Sequence, residues 1–334
     1  MYKDCEWGHK IFSVDNDGFE ALALEIFRFQ YAENPVYNDW CKALQINPGD
    51  VRAMAKIPFL PVSFFKTHIV QSGLAEKPVL FESSGTTKAV TGRHWVNDIS
   101  LYEKSFTTAF EKFYGRVKDY CVIGLLPAYL ERANSSLVYM VDKLVQQSGH
   151  EKSGFYLNEY EKLYNTLLHL EDKKQKTLLI GVTFALLDFA DAYNLPLRYT
   201  IMMETGGMKG RRKEMIRDEV HEYLKKPFSL ASIHSEYGMT ELLSQAYSKG
   251  DGIFNCPPWM KVLAREEDDP LHLQSESDNN EIKRGALNVI DLANVYSCSF
   301  IATDDAGKVF PDGSFEVQGR MDNSDIRGCN LLIL

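Results

Sequence analysis

The chain has 334 residues, a formal net charge of −9 and 45% hydrophobic residues. That length suits about two domains, the composition supplies ample apolar residues for a globular core, and the acidic balance argues against a nucleic-acid binder, which needs a basic face. The opening Met1-Tyr2-Lys3-Asp4-Cys5-Glu6 lacks the apolar stretch of a signal peptide. The longest apolar run, residues 177–190, contains Asp188 and is too short to span a bilayer. The six cysteines form no Cys-x-x-Cys pair, so neither a zinc site nor a disulfide framework is expected. A reduced, cytoplasmic protein without a membrane span is the expectation.

Residues 19–31 carry apolar side chains at helical spacing and predict an amphipathic helix. Asn34-Pro35 ends it, and 38–44 reads as a second, short helix. Residues 57–62 hold two prolines and should be extended. A helix is expected over 98–114, a buried strand over the continuous apolar run 120–126, and a helix over 135–147. Residues 177–182 predict a strand followed by a helix through Asp191. A strand over 198–203 leads into Thr205-Gly206-Gly207, and 211–225 is a charged amphipathic helix. Strands alternating with helices indicate an α/β fold with mostly parallel sheets flanked by helices. After Pro257 the pattern changes to short strands at 286–292, 297–303 and 314–318, with a turn at Pro311-Asp312-Gly313. The expected organisation is an α/β body, residues 1–256, and a small antiparallel β subdomain, residues 257–334.

Two clusters carry chemistry. Ser83-Ser84-Gly85-Thr86-Thr87 follows the apolar run Pro78-Val79-Leu80-Phe81. Glycine lets backbone approach an anion, and hydroxyls and free N–H groups donate to it, so this composition suits a phosphate loop. A plain turn is the alternative. Tyr237-Gly238-Met239-Thr240-Glu241 ends in a carboxylate able to hold a divalent cation. Its alternative is a helix start, with Thr240 as N-cap and Glu241 in the first turn. In an α/β sheet, ligands gather beyond the carboxyl ends of strands, where Ser83–Thr87, Gly206–Gly207 and Ser235–Glu241 are expected.

With Thr303-Asp304-Asp305-Ala306-Gly307 and Gly319-Arg320-Met321-Asp322, these motifs occur in an order that resembles the adenylate-forming superfamily of acyl-activating enzymes. That superfamily carries a Ser/Thr-Gly-Thr-Thr-Gly loop, then Tyr-Gly-x-Thr-Glu, Thr-Gly-Asp and Gly-Arg-x-Asp. Lys88 stands where the loop has its last glycine, and Asp304 where the third motif has glycine. The short span after Gly319-Arg320 resembles the acyl-protein synthetase branch, of the bacterial bioluminescence fatty-acid reductase type, related to phenylacetate-CoA ligases but lacking the usual mobile C-terminal domain. Phe27-Arg28-Phe29-Gln30-Tyr31, Ile57-Pro58-Phe59-Leu60-Pro61 with Phe65-Lys66, and Arg327-Gly328-Cys329 extend the match.

The resemblance implies ATP and Mg²⁺ as cofactors and a carboxylic, fatty-acid substrate activated to an acyl-adenylate. Ser83, Ser84, Gly85, Thr86 and Thr87 would cradle the β- and γ-phosphates, with Lys88 or Arg93 adding charge. Glu241 would hold Mg²⁺ and Thr240 would donate to the α-phosphate. Tyr237 would stack on adenine, with Gly206, Gly207 and the backbone near Ser235 framing the ring and Gly238 also binding the cofactor, or else Tyr237 would serve as a core aromatic. Asp305 would accept from the ribose hydroxyls, or else occupy a turn, and Arg320 would reach the ribose or α-phosphate. Cys329 would take the acyl group before an acceptor protein or acyl-CoA reductase, or else be a small buried residue. His68, His94 and His234 are candidates for a general base, each read first as structural. Coenzyme A or a carrier thiol as direct acceptor, and a degenerate adenylate-binding module, are the alternative functions.

Overall fold

The structure is a computed structural model and describes residues 4–73, 75–83, 91–126, 134–207, 215–266, 271, 273–274 and 281–321. The chain divides into two units: Met1–Phe106, Met239–Gln245 and Asn255–Leu334 make the first, and Thr107–Gly238 with Ala246–Phe254 the second.

The first unit opens with helices α1 (Asp4–Phe12), α2 (Asn16–Glu33) and α3 (Pro35–Ala43). Asp15 caps α2 by accepting from the Gly18 N–H at 2.8 Å. The buried stripe Phe19, Leu22, Ala23, Ile26 and Phe27 shows the helical period read from the sequence. Asn34 ends α2 and caps the next helix, accepting from the Tyr37 N–H at 3.0 Å with Pro35 in the first turn. The second helix therefore starts three residues before the expected 38. The short strand β1 (Leu60–Pro61) and helix α4 (Phe64–Thr67) follow. Strands β2 (Val79–Glu82) and β3 (Arg93–Val96) pair with each other, antiparallel, as a separate two-stranded sheet. Ser83 thus follows a strand outside the parallel sheet, which corrects its expected placement there. Helix α5 (Ile99–Tyr114) carries the chain into the second unit.

That unit holds β4 (Cys121–Leu125), α6 (Ser136–Ser148), β5 (Gly154–Phe155), α7 (Tyr160–Asp172), β6 (Thr177–Gly181), α8 (Thr183–Ala192), β7 (Thr200–Glu204), α9 (Arg217–Phe228), β8 (His234–Tyr237), β9 (Ala246–Ser248) and β10 (Ile253–Phe254). The sheet runs β5-β4-β6-β7-β8-β9, parallel through β8 and antiparallel at β9. β4 and β6 are buried at every position, as central strands covered on both faces must be. Ile123, Leu179, Met202, Leu167, Leu186, Phe189 and Phe228 belong to its core. The helix expected over 211–225 begins at Arg217, because Ile216 is extended and its N–H donates to Glu219 at 3.2 Å. Residues 211–214 lie outside the described ones.

Back in the first unit, β11 (Met260–Arg265), β12 (Lys283–Asp291), β13 (Phe300–Val309) and β14 (Phe315–Arg320) form an antiparallel sheet ordered β14-β13-β12-β11. β1 pairs in parallel with the start of β13, through Leu60 with Ile301 and Pro61 with Ala302. The expected turn at Pro311-Asp312-Gly313 joins β13 to β14, with Asp312 accepting from the Ser314 N–H at 2.9 Å. The α/β class with an antiparallel β portion is therefore observed.

Candidate active site

In the second unit, β7 delivers the chain to Glu204 and then to Gly206 and Gly207. These glycines take φ of 72° and 90°, the left-handed region that a Cβ disfavours. Their carbonyls accept from the N–H groups of Thr183 at 3.1 Å and Phe184 at 3.4 Å, the opening residues of α8. Glu204 is buried and accepts from the Gly206 N–H at 2.6 Å and the Thr183 hydroxyl at 3.2 Å. Arg217 Nε lies 3.3 Å and His221 Nε2 3.7 Å from its other oxygen. Burial works to raise this carboxyl's pKa, but His221, Arg217, Ser235 and the Gly206 N–H outweigh it and hold the pKa at about 2. Glu204 is a fixed anion whose partners build the glycine turn. Register pairs Glu204 with Ser235, so Tyr237 stands two residues further along β8, at its carboxyl end. The ring is buried, edge-on to Phe254 with centroids 5.9 Å apart. Gly238, by contrast, is exposed.

In the first unit, Thr240 and Glu241 occupy a turn, and no helix follows them before β9. This overturns the helix-start alternative. Buried side chains take up the backbone groups that a helix would have satisfied. His94 Nδ1 donates to the Thr240 carbonyl at 2.8 Å. Asn294 Nδ2 donates to the Glu241 carbonyl at 2.8 Å. Asp291 accepts from the N–H groups of Leu243 at 2.8 Å and Ser244 at 2.9 Å, and from the Ser244 hydroxyl at 2.6 Å.

The Glu241 side chain is buried, with Oε1 packed so closely on Gly92 that a Cβ there would collide with it. Gly92 in turn donates to Ser83 Oγ at 2.7 Å, and the Ser83 N–H donates to the Gly92 carbonyl at 2.9 Å. Ser83, Gly92 and Glu241 are thus neighbours. A hydroxyl that accepts retains its own proton to donate. Burial pushes the Glu241 carboxyl up to about 7, with its own N–H, Arg320 and Lys66 pulling it down and Asp304 adding to the rise. His94 is a fully buried ring whose pKa burial pushes down to about 4, against the opposing Thr240 carbonyl and Asn294. That environment suits the structural reading of His94.

Asp305 lies within β13, so the turn alternative for Asp304-Asp305-Ala306-Gly307 is corrected. Two register shifts flank it: one on β12 between Ala286 and Asn288, the other between Ala306 and Gly307 opposite β14. The Leu287 carbonyl at the first shift accepts from the Thr303 hydroxyl at 2.7 Å and from the buried Arg265 at 3.1 Å. Gly307 is required at the second, where a Cβ would meet the Glu316 carbonyl. Asp305 pairs in register with Arg320, whose Nε lies 3.5 Å from Oδ1. The carboxylate is buried, while half of the Arg320 side chain is exposed at 52%.

Ser84, Gly85, Thr86, Thr87, Lys88 and Cys329 lie outside the described residues. Sequence reasoning passed over Asp291 and Asn294. The available signal was two polar side chains inside the apolar run Val289-Ile290-Asp291-Leu292-Ala293-Asn294-Val295, which demand buried partners.

A scan against protein-family models matches none, and a search of curated proteins finds no relative. Solved structures do match. One is the luciferase-like enzyme of the nonluminescent mealworm Zophobas morio, 16% identical over 76% of this chain and 60% of that one, with a TM-score of 0.51. Another is a long-chain-fatty-acid-CoA ligase of Archaeoglobus fulgidus, 14% identical over 72% of this chain and 51% of that one, also with a TM-score of 0.51. The chain therefore spans between half and three-fifths of these neighbours' lengths. At such identities the likeness speaks to the fold alone, and it bears out the expected α/β architecture.

Proposed function

We propose that this chain activates a carboxylic acid, of the fatty-acid class, at the expense of ATP and then passes the acyl group to a thiol. The observation that carries this reading is the Thr240–Glu241 turn, which holds a buried carboxylate against Gly92 and Ser83. The chemistry is attack of a substrate carboxylate oxygen on the α-phosphorus, with cleavage of the bond to the β-phosphate oxygen and departure of pyrophosphate. Two anions must meet, so charge neutralisation and alignment supply most of the rate.

Glu241 is the residue that would hold Mg²⁺. Among the described residues no three His, Cys, Asp or Glu side chains form a metal cluster. A single carboxylate nevertheless fits, because Mg²⁺ is ordinarily held by one or two carboxylates, phosphate oxygens and waters. The ion would screen the phosphates and help the leaving group. Thr240 would donate to the α-phosphate, and Ser83 with Ser84, Gly85, Thr86 and Thr87 to the outer phosphates. Asp305 would accept from the ribose hydroxyls, an assignment supported by a buried carboxylate with Arg320 alongside. Gly206, Gly207, Tyr237 and Gly238 would serve adenine. The long-chain-fatty-acid-CoA ligase among the fold's neighbours supports the acid class.

In the second half-reaction a thiolate attacks the acyl carbon and AMP leaves. We assign the thiol to Cys329, with an acceptor protein or acyl-CoA reductase downstream. Glu241→Gln keeps shape and removes the charge. It should bind adenosine nucleotides without Mg²⁺ as the parent does, but lose acid-dependent ATP–pyrophosphate exchange by about a hundredfold or more. Exchange within twofold of the parent would refute the assignment.

A further inference from the structure

Five buried side-chain atoms among the described residues of the first unit lack a hydrogen-bond partner, Arg93 Nε, Trp95 Nε1, Gln245 Oε1, His94 Nε2 and Asn294 Oδ1, and the last two belong to the side chains that hold the Thr240–Glu241 turn. Each of these two belongs to a side chain whose other polar atom is committed. His94 Nδ1 faces the Thr240 carbonyl at 2.8 Å, and a carbonyl only accepts, so Nδ1 carries the proton. The neutral ring then presents a lone pair at Nε2. Asn294 Nδ2 spends both protons, on the carbonyls of Glu241 at 2.8 Å and Cys298 at 2.9 Å. Its amide orientation is therefore fixed, and Oδ1 is an acceptor. Both side chains line one cavity of about 10 Å³, whose other walls are partly polar and include Trp95, Asn97, Leu243 and Ser297. Two acceptors cannot bond to each other. One water molecule needs about that much room, and it brings two O–H donors.

We propose that His94 and Asn294 are positioning residues for Glu241, gripping the successive carbonyls of Thr240 and Glu241 and joined to each other through one internal water site. His94 belongs to β3 and Asn294 follows β12, so two otherwise separate segments fix the height of one turn. Asn294 is itself held, because Gln30 Nε2 donates to the Asn294 carbonyl at 3.1 Å and to the Val295 carbonyl at 2.8 Å. An unpaired buried acceptor is costly, so the water is part of the device and not an accident of packing.

This inference rests on the metal role of Glu241 given above, and the tests separate the two. His94→Asn keeps a donor near the Nδ1 position and should retain exchange within about threefold. His94→Leu removes it, and should raise the Mg²⁺ concentration for half-maximal exchange at least fivefold while leaving the KM for the acid unchanged. A role in stability alone would move neither constant selectively. If Glu241→Gln abolishes exchange but His94→Leu shows the parent's Mg²⁺ requirement, the positioning role is overturned. If Glu241→Gln is active, the functional reading fails instead. Should His94→Leu not fold, ¹⁵N-histidine NMR of the parent protein decides the water site. A neutral ring protonated at Nδ1, with a slowly exchanging water contact at Nε2, is expected. An imidazolium at pH 7, donating from both nitrogens, would overturn the water bridge.

Discussion

At the residue scale, the decisive contact is between Gly92 and the Glu241 carboxylate. A methyl group at position 92 would meet Glu241 Oε1 and crowd Ser83 Oγ at 3.2 Å. The atom displaced is the far end of a flexible side chain, so the fold can yield cheaply. Stability should change by less than about 1 kcal/mol in Gly92→Ala. Activity should not be spared if Glu241 holds the metal as proposed, because small misplacements of a metal-holding oxygen cost rate steeply. We expect exchange to fall at least about tenfold, read beside a thermal melt that stays within a few degrees of the parent's. An active Gly92→Ala would mean that the position of Oε1 is unimportant. The contact of Gly92 with Glu241 could not be read from sequence, because the two residues lie far apart along the chain.

At the scale of elements, sequence signals succeeded where caps and periods were local. α5 and α6 match their expected spans to within a residue, with Ser135 and Gly149 marking the ends of α6 in the chain itself, while α2, capped by Asp15, starts three residues before the expected 19. The β2–β3 pairing escaped, since a strand does not announce which neighbour it will join. The whole of helix α7 was also passed over. The Gly206–Gly207 element depends on Glu204, and its ionisation gives a pH prediction. The folded carboxyl titrates at about 2, below its ordinary 4.5. Its stabilisation is therefore complete above pH 4.5 and disappears as pH falls toward 2. The full effect is on the order of 3 kcal/mol. Between pH 5 and pH 3 the stability advantage of the parent over Glu204→Gln should shrink, as followed by urea unfolding at each pH. A constant difference across that range would show that Glu204 is not held ionised by its partners.

At the scale of the whole molecule, the sequence order of motifs pointed to the fold, while the devices that hold the site were illegible. The Thr240–Glu241 turn is fixed from residues 94, 291 and 294, and no local pattern encodes such pairings. The two half-reactions make different demands on the chain. Adenylation needs phosphate, metal and ribose contacts, which the residues from Ser83 to Arg320 are proposed to supply. Transfer needs a nucleophile, which we assign to Cys329. Three of the other cysteines, Cys41, Cys121 and Cys298, are buried, and burial pushes the first two thiols up to about 12 and about 11 and the third higher still. Cys256 is likewise pushed up to about 12 by burial and by Asp291. Such thiols are poor nucleophiles near neutrality. Cys329→Ser should therefore retain pyrophosphate exchange within about twofold, since adenylation involves no thiol. The same variant should lose all labelling by radioactive fatty acid plus ATP that hydroxylamine can release. Label persisting in Cys329→Ser would move the acceptor elsewhere. A parent protein that never takes up label but makes acyl-CoA would establish coenzyme A as the direct acceptor.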